Sequence, residues 1–382
     1  MKSRDRWDYL KRSPKIVSDL LLQRRYDFDF DLMPFHLRDL PRVKRLNLLK
    51  SGLNLIHRRL HPWSWPINMM IELTNYCNLQ CPVCPTGKGE IERPPQAMEL
   101  DLFERLMKEV GPYLTTAALF CWGEPLMHPQ LSDALRIASK YSVPVRLSTN
   151  GHSLEEDRVV RALLDHPPAY ITVAIDGLAE ETNSFYRVGA DLEAVLQGVQ
   201  SLAEAKRRKG AHLPVLHMRF IAMKHNQHEI PQVRAFAAQH RFDLLTIRSL
   251  SIIDGPDETH RALVPDEEAF RAYAYEGDKR VSRSDFICQA PFIFPTVFAD
   301  GTVVACEQDF NATASYGRLS EGVAFQDIWF GERARRIRKA IRDASESFSF
   351  CRNCPYADRP VKTCSLQAFR LNGWRAPEIA WA

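Results

Sequence analysis

From residue 67 to about 250 the chain switches six times between a short apolar run and a longer segment of helical periodicity, which leaves few architectures open. The strand-like runs are Ile67 to Leu73, Ala117 to Trp122, Val143 to Ser148, Tyr170 to Ile175, Val215 to Ala222 and Leu244 to Ser249. Helical stretches between them include Asp101 to Val110, Gln130 to Tyr141, Glu155 to Leu164, Leu192 to Lys209 and Glu229 to His240. Strand and helix in strict alternation predict parallel strands joined by crossover helices. In such barrels the loops that follow the strands build the active site.

The loop after the first of these strands carries Cys77, Cys81 and Cys84, spaced Cys-x3-Cys-x2-Cys. A loop of this kind can wrap a [4Fe-4S] cluster while supplying three thiolates, leaving one iron open to a small chelating molecule. A zinc loop whose fourth ligand lies elsewhere is the competing reading. The motif resembles the signature of the radical S-adenosylmethionine (SAM) enzymes. That resemblance implies an open iron that chelates the amino and carboxylate groups of SAM, and a 5′-deoxyadenosyl radical that takes a hydrogen atom from the substrate. Val83 departs from it, since family members usually carry an aromatic residue just before the last cysteine.

Later strand ends extend the resemblance. Cys121-Trp-Gly-Glu-Pro125 resembles the family's Gly-Gly-Glu-Pro motif, with Trp122 in first place, and implies that Gly123 and Glu124 lie against the SAM amino group. Ser148-Thr-Asn-Gly151 occupies the place of family residues that contact the ribose and methionine parts of SAM, which points to Ser148 and Asn150. Asp176-Gly177, followed by Tyr186-Arg187, brings Asp176 and an arginine expected near the SAM carboxylate. Singly, each motif is a common turn or ion pair; their order along successive strands is what carries the likeness. Cys121 itself reads as a small buried hydrophobe rather than a ligand.

Beyond a polar connection at residues 251–284, read as a linker, a second cysteine set opens with Cys288, Cys306, Cys351, Cys354 and Cys364. An Asp300-Gly301 turn before Thr-Val-Val-Ala predicts a hairpin that brings Cys288 and Cys306 together. The set is similar to the C-terminal SPASM or shorter "twitch" extension of radical SAM enzymes, which holds auxiliary iron–sulfur clusters. Pro360 stands where the full pattern has another cysteine, so the resemblance implies one auxiliary [4Fe-4S] cluster on Cys288, Cys306, Cys351 and Cys354, with Cys364 spare or a substitute ligand. A four-thiolate zinc site fits the same residues.

The expected fold is thus α/β: a partial (β/α)6 radical SAM barrel over residues 66–250, a helical N-terminal extension over 1–65, and a small cysteine-rich auxiliary-cluster domain over 285–382. The extension holds fifteen Lys and Arg against seven Asp and Glu. Arg42, Lys44, Arg45, Lys50, Arg58 and Arg59 interleave there with Leu46, Leu48, Leu49, Leu53, Leu55 and Ile56, so it reads either as a helix packed on the barrel or as a basic face for peripheral membrane contact. No recognition motif points to nucleic acid. Nine cysteines clustered with Pro and Gly suit metal ligation in a reducing compartment, and with no apolar run long enough to span a bilayer the expected location is cytoplasmic.

The resemblance implies SAM, an electron donor such as flavodoxin or ferredoxin, and a small-molecule or peptide substrate. No catalytic acid or base is singled out. The preferred reaction at this stage is dehydrogenation or epimerisation of a sugar, aminocyclitol or glycolipid intermediate. Modification of a ribosomal peptide or protein is the alternative; relatives that do this often carry a strand pair ahead of the barrel, where residues 1–65 read as helical. A non-catalytic iron–sulfur or zinc protein is the third reading.

Overall fold

In the computed structural model, residues 14–251, 258–276, 279–281, 286, 288–352, 354–359, 363–374, 376 and 378–380 are described. The first strands are β1 (Tyr26–Phe30) and β2 (Met33–Arg38), followed by the six barrel strands: β3 (Asn68–Ile71), β4 (Thr116–Ala118), β5 (Val145–Thr149), β6 (Tyr170–Ala174), β7 (Val215–Ala222) and β8 (Leu244–Ser249). Later come β9 (Tyr275–Glu276), β10 (Lys279–Arg280), β11 (Thr296–Val297), β12 (Thr302–Val304), β13 (Gly317–Arg318), β14 (Ser365–Arg370) and β15 (Glu378–Ala380).

β3 to β8 pair in chain order and all in parallel. The helices between them bury one stripe each. In Leu100–Val110, for example, Phe103, Leu106, Met107 and Val110 recur at helical spacing and all are buried. Neither edge of the six-stranded unit is bare. β11 pairs in parallel with β3, and β14 pairs antiparallel with β8. The C-terminal region therefore continues the barrel sheet on both sides. Val297, Val303, Phe325 and Trp329 share one apolar core with the barrel residues.

Residues 1–65 depart from the expected all-helical extension. Helices do form at residues 14–22 and at Arg42–His57, while residues 1–13 lie outside the described residues. Between the two helices β1 and β2 form an antiparallel hairpin that β15 extends in parallel. The reason is local: Tyr26-Asp-Phe-Asp-Phe30 alternates with period two, and Asp31 and Leu32 both take positive φ, as a tight hairpin turn requires. This sheet closes the floor of the barrel. Phe35, Leu37 and Leu40 pack with Ile67, Tyr170, Val215 and Leu244, the residues at the lower ends of barrel strands. Lys44, expected on a basic face, is buried instead and donates to the Gly111 and Leu114 carbonyls at 3.0 and 2.5 Å. Burial pushes its pKa down to about 7.

The expected linker is also more than a connector. Residues 252–257, 277–278, 282–285 and 287 lie outside the described residues. In the remainder, Leu263, Ala272 and Tyr273 pack in one apolar cluster with Leu79, Cys81, Tyr186, Met223 and Leu250, and so cover the first cysteine loop.

Candidate functional site

Cys77, Cys81 and Cys84 occupy the loop above β3 and are close enough for their charges to act on one another. Burial pushes Cys77 up to about 11, a cost only partly offset by the Leu79 N–H. Burial raises Cys81 as well, against the opposing pull of Arg187, whose Nη1 lies 3.8 Å from Cys81 Sγ. Thiols gathered in a place that disfavours thiolates suit a positively charged group that deprotonates them on binding.

The strand-end motifs converge on this loop. Glu124 is buried, and its two carboxylate oxygens accept from the Leu126 and Asn150 backbone N–H groups at 3.0 and 2.8 Å. It thereby ties the loop after β4 to the loop after β5, and burial raises its pKa to about 7. Gly123 passes so close to Thr74 that a Cβ there would run into the Thr74 backbone. Asn150 Nδ2 donates to Asn78 Oδ1 at 2.7 Å and lies 3.7 Å from Cys77 Sγ. Asp176, fully buried, takes Arg187 Nε at 2.7 Å and the Ile221 N–H at 2.7 Å. Arg187 is therefore committed to Asp176 and faces Cys81. Although burial opposes its charge, Asp176 and Cys81 together raise its pKa. Ser148 Oγ accepts from Arg219 Nη2 at 3.0 Å.

The second set assembles from distant parts of the C-terminal region. Cys288, Cys306 and Cys351 each feel the charge of Cys354, and Cys306 and Cys351 also feel that of Cys288. Burial pushes Cys288 and Cys351 up to about 12 and Cys306 and Cys354 in the same direction. Cys364 is held differently: buried at the start of β14, its Sγ accepts from Arg248 Nη2 at 2.6 Å and Arg359 Nη1 at 3.2 Å. Cys121 lies in the loop beyond β4, since that strand ends at Ala118, and burial drives its thiol well above the usual range. Among the described residues no three Cys, His, Asp or Glu side chains converge tightly enough to hold a single ion. A cubane asks for less, because each thiolate binds its own iron.

Two bridges join the sites. Trp122 Nε1 donates to the Glu307 carbonyl at 2.8 Å, so the residue that departs from the Gly-Gly-Glu-Pro pattern reaches across to the cysteine-rich region. Glu72, beside the first cysteine loop, forms a buried two-point pair with Arg93 at 2.6 and 2.9 Å and accepts the Ala299 N–H at 3.1 Å. Arg93 Nε then donates to the Phe310 carbonyl at 2.7 Å. The sequence reading missed Glu307 and Tyr356. Their carboxylate and phenol are hydrogen-bonded to each other, and Glu307 Oε2 lies 3.3 Å from Cys306 Sγ. An acidic residue directly after a candidate ligand cysteine was the available signal.

Six parallel strands topped by a three-thiol loop, with a four-thiol set joined to the sheet edge, define a partial-barrel protein with two thiol sites. Residues 71–236 match the radical SAM superfamily, and residues 288–355 match the iron–sulfur cluster-binding SPASM domain. The chain thus carries a radical SAM domain and a C-terminal SPASM domain, which imply SAM and iron–sulfur clusters as cofactors. It is similar to the PqqA peptide cyclase of Gluconobacter oxydans (strain 621H), with 23% identity over 81% of this chain and 88% of that one. Among solved structures it is similar to Streptococcus suis SuiB bound to the precursor peptide SuiA, with TM-score 0.59 and 13% identity over 94% of this chain and 84% of SuiB. It is also similar to anSMEcpe with bound AdoMet and the Kp18Cys peptide, with TM-score 0.52 and 14% identity over 79% of this chain and 92% of that one. No helix among the described residues is long and apolar enough to cross a membrane.

Proposed function

We propose that this chain modifies a peptide or protein substrate by radical chemistry, in place of the sugar, aminocyclitol or glycolipid conversion that the sequence first favoured. The supporting observation is that the likeness to a peptide cyclase runs over 88% of that relative's length. The strand pair ahead of the barrel removes the sequence-based argument against peptides, which rested on an all-helical N-terminus.

Cys77, Cys81 and Cys84 are assigned to the SAM-binding cluster, and Cys288, Cys306, Cys351 and Cys354 to one auxiliary cluster. Held on these residues, the first cluster would supply reductive cleavage of SAM for hydrogen-atom abstraction and the second an electron acceptor. The protein's own contribution is positioning. Glu124 spends both carboxylate oxygens on backbone N–H groups and so fixes the loop after β4. Asn150 and the Asp176–Arg187 pair orient the edge of the cysteine loop, and Ser148 faces the lumen beside Arg219. Glu307, between Cys306 and Tyr356, is the carboxylate placed to accept a proton as the substrate is oxidised. Cys364 is assigned to neither cluster, because two guanidinium groups already hold its sulfur.

The test is an anaerobic incubation of reconstituted enzyme with SAM, a strong reductant and peptides encoded beside its gene, read by mass spectrometry. A peptide that loses hydrogen atoms in step with 5′-deoxyadenosine formation supports the reading. Unchanged peptides alongside an oxidised sugar or aminocyclitol would return the assignment to the small-molecule class.

A further inference from the structure

The barrel lumen carries an uncompensated positive charge. Along β7, Met218 and Phe220 enter the apolar core with Val233 and Ala237 of the outer helix, so His217 and Arg219 face the interior. Arg146 on β5 and Arg248 on β8 join Arg219 there. The charges of all three act with that of one carboxylate, Asp31, which the β1–β2 turn delivers through the floor. Asp31 is nearly saturated: Oδ2 lies 2.6 Å from Arg248 Nη1, and Oδ1 accepts from Thr363 Oγ1 at 2.5 Å and Ser365 Oγ at 2.8 Å. Asp176, the other nearby acid, is paired with Arg187.

Three arginines share the one carboxylate of Asp31, and two of them, Arg146 and Arg219, keep donors unused. Arg146 is 2% exposed, lies over the Phe30 ring at 3.5 Å, and its Nε and Nη2 have no hydrogen-bond partner among the described residues. Arg219 Nε is likewise without a partner. Burial, then the neighbouring charges of Arg248 and Arg187, lowers the pKa of Arg219 to about 10. Arg248 keeps 22% of its side chain accessible, so an incoming group can reach it. A guanidinium with an unused donor, as in Arg219, matches the geometry of a carboxylate, whereas Arg248 is shared between Asp31 at Nη1 and Cys364 Sγ at Nη2 and has to be competed for.

We propose that Arg219 and Arg248 form a carboxylate-binding subsite that grips an acidic side chain or terminal carboxylate of the substrate, with Asp31 as the internal counter-ion it competes with. The proposal rests on the peptide reading above and deepens it: the subsite selects substrates with a carboxylate near the reacting carbon. Asp31, with Cys364, holds Arg248 in place and weakens its hold on the incoming anion.

The probe is glutarate, titrated into reconstituted holoenzyme at constant ionic strength, with neutral glutaramide as control and the thermal midpoint as readout. The titration is run with and without saturating SAM. Glutarate, and not glutaramide, should raise the midpoint in both conditions, since a ligand of the native state stabilises it. Arg219→Gln and Arg248→Gln should each weaken the apparent affinity about ten-fold, and the Lys variants should recover part of it. Asp31→Asn should shift affinity the other way, which separates lost binding from a damaged fold. Equal responses to glutarate and glutaramide, or unaltered titrations in all the variants, would overturn the proposal. So would a glutarate effect erased by SAM, since the anion would then occupy the place of SAM's own carboxylate. No peptide is used, so failure of the peptide assay with this titration intact discards the function and keeps the anion subsite; the reverse discards the subsite alone.

Discussion

Arg93→Met would strand the Glu72 carboxylate beside the cysteine loop, where it is fully buried. Breaking a buried pair from one side costs about 3–5 kcal/mol, and Glu72→Gln in the same chain should restore part of it. Denaturant unfolding of the two variants checks this. His217 gives a pH signature. It sits between Thr172 Oγ1 and Thr246 Oγ1 at 2.9 and 2.8 Å, and burial followed by the charge of Arg219 pushes its pKa from 6.5 down to about 3. As pH falls below 6.5 the unfolded chain takes up a proton that the folded chain refuses, so stability present above 6.5 is lost progressively toward pH 3. Between about pH 7.5 and 5.5 the thermal midpoint should fall more steeply in the wild type than in His217→Gln. Equal slopes would contradict the assignment. Residues whose roles depend on distant partners were the least legible in the sequence. Glu124 and Arg187 stood out by motif, but only the fold shows that backbone N–H groups and Asp176 already engage them. Arg219, Arg248 and Asp31 lie on three separate elements and carry no motif.

At the scale of elements, the six barrel strands and their helices could be read because each has a complete local pattern, apolar and β-branched or periodic at helical spacing. The expected strand Ala117 to Trp122 shrank to Thr116–Ala118, because the loop beyond it turns toward the cysteine-rich region through Trp122. The β1–β2 hairpin was legible in principle from its alternation, yet the leucine-rich segments on either side drew residues 1–65 toward helix. β14 and β15 owe their existence to long-range pairing with β8 and β2, which no local pattern announces. The loop after β4 depends on one close approach. Gly123→Ala would press a Cβ into the Thr74 backbone. It should cost about 1–3 kcal/mol of stability by denaturant unfolding and weaken SAM binding measured by calorimetry. Unchanged SAM affinity would place the cofactor away from this loop.

Across the described residues, one continuous sheet runs from the auxiliary hairpin through the barrel to β14, and β15 joins the early hairpin in the separate β1–β2–β15 sheet. A chain cut after residue 284 would therefore lose β11 and β14, the outer partners of β3 and β8. Bare, apolar strand edges of this kind template aggregation. The truncated protein should run as soluble aggregate or precipitate in gel filtration, and a monodisperse fragment would show that the two regions fold independently. The same continuity, with Trp122–Glu307 and Glu72–Arg93 as cross-links, ties the two cysteine sets to one framework. The central claim is that one set holds the SAM cluster and the other an auxiliary cluster. Its most direct test is iron per chain with 5′-deoxyadenosine formation, after anaerobic reconstitution of the wild type and of a Cys77/Cys81/Cys84→Ala variant. The account predicts about eight irons falling to about four, with nucleoside formation abolished. Nucleoside formation that survives in the triple variant, or a fully loaded wild type that makes none under strong reductant, would contradict it.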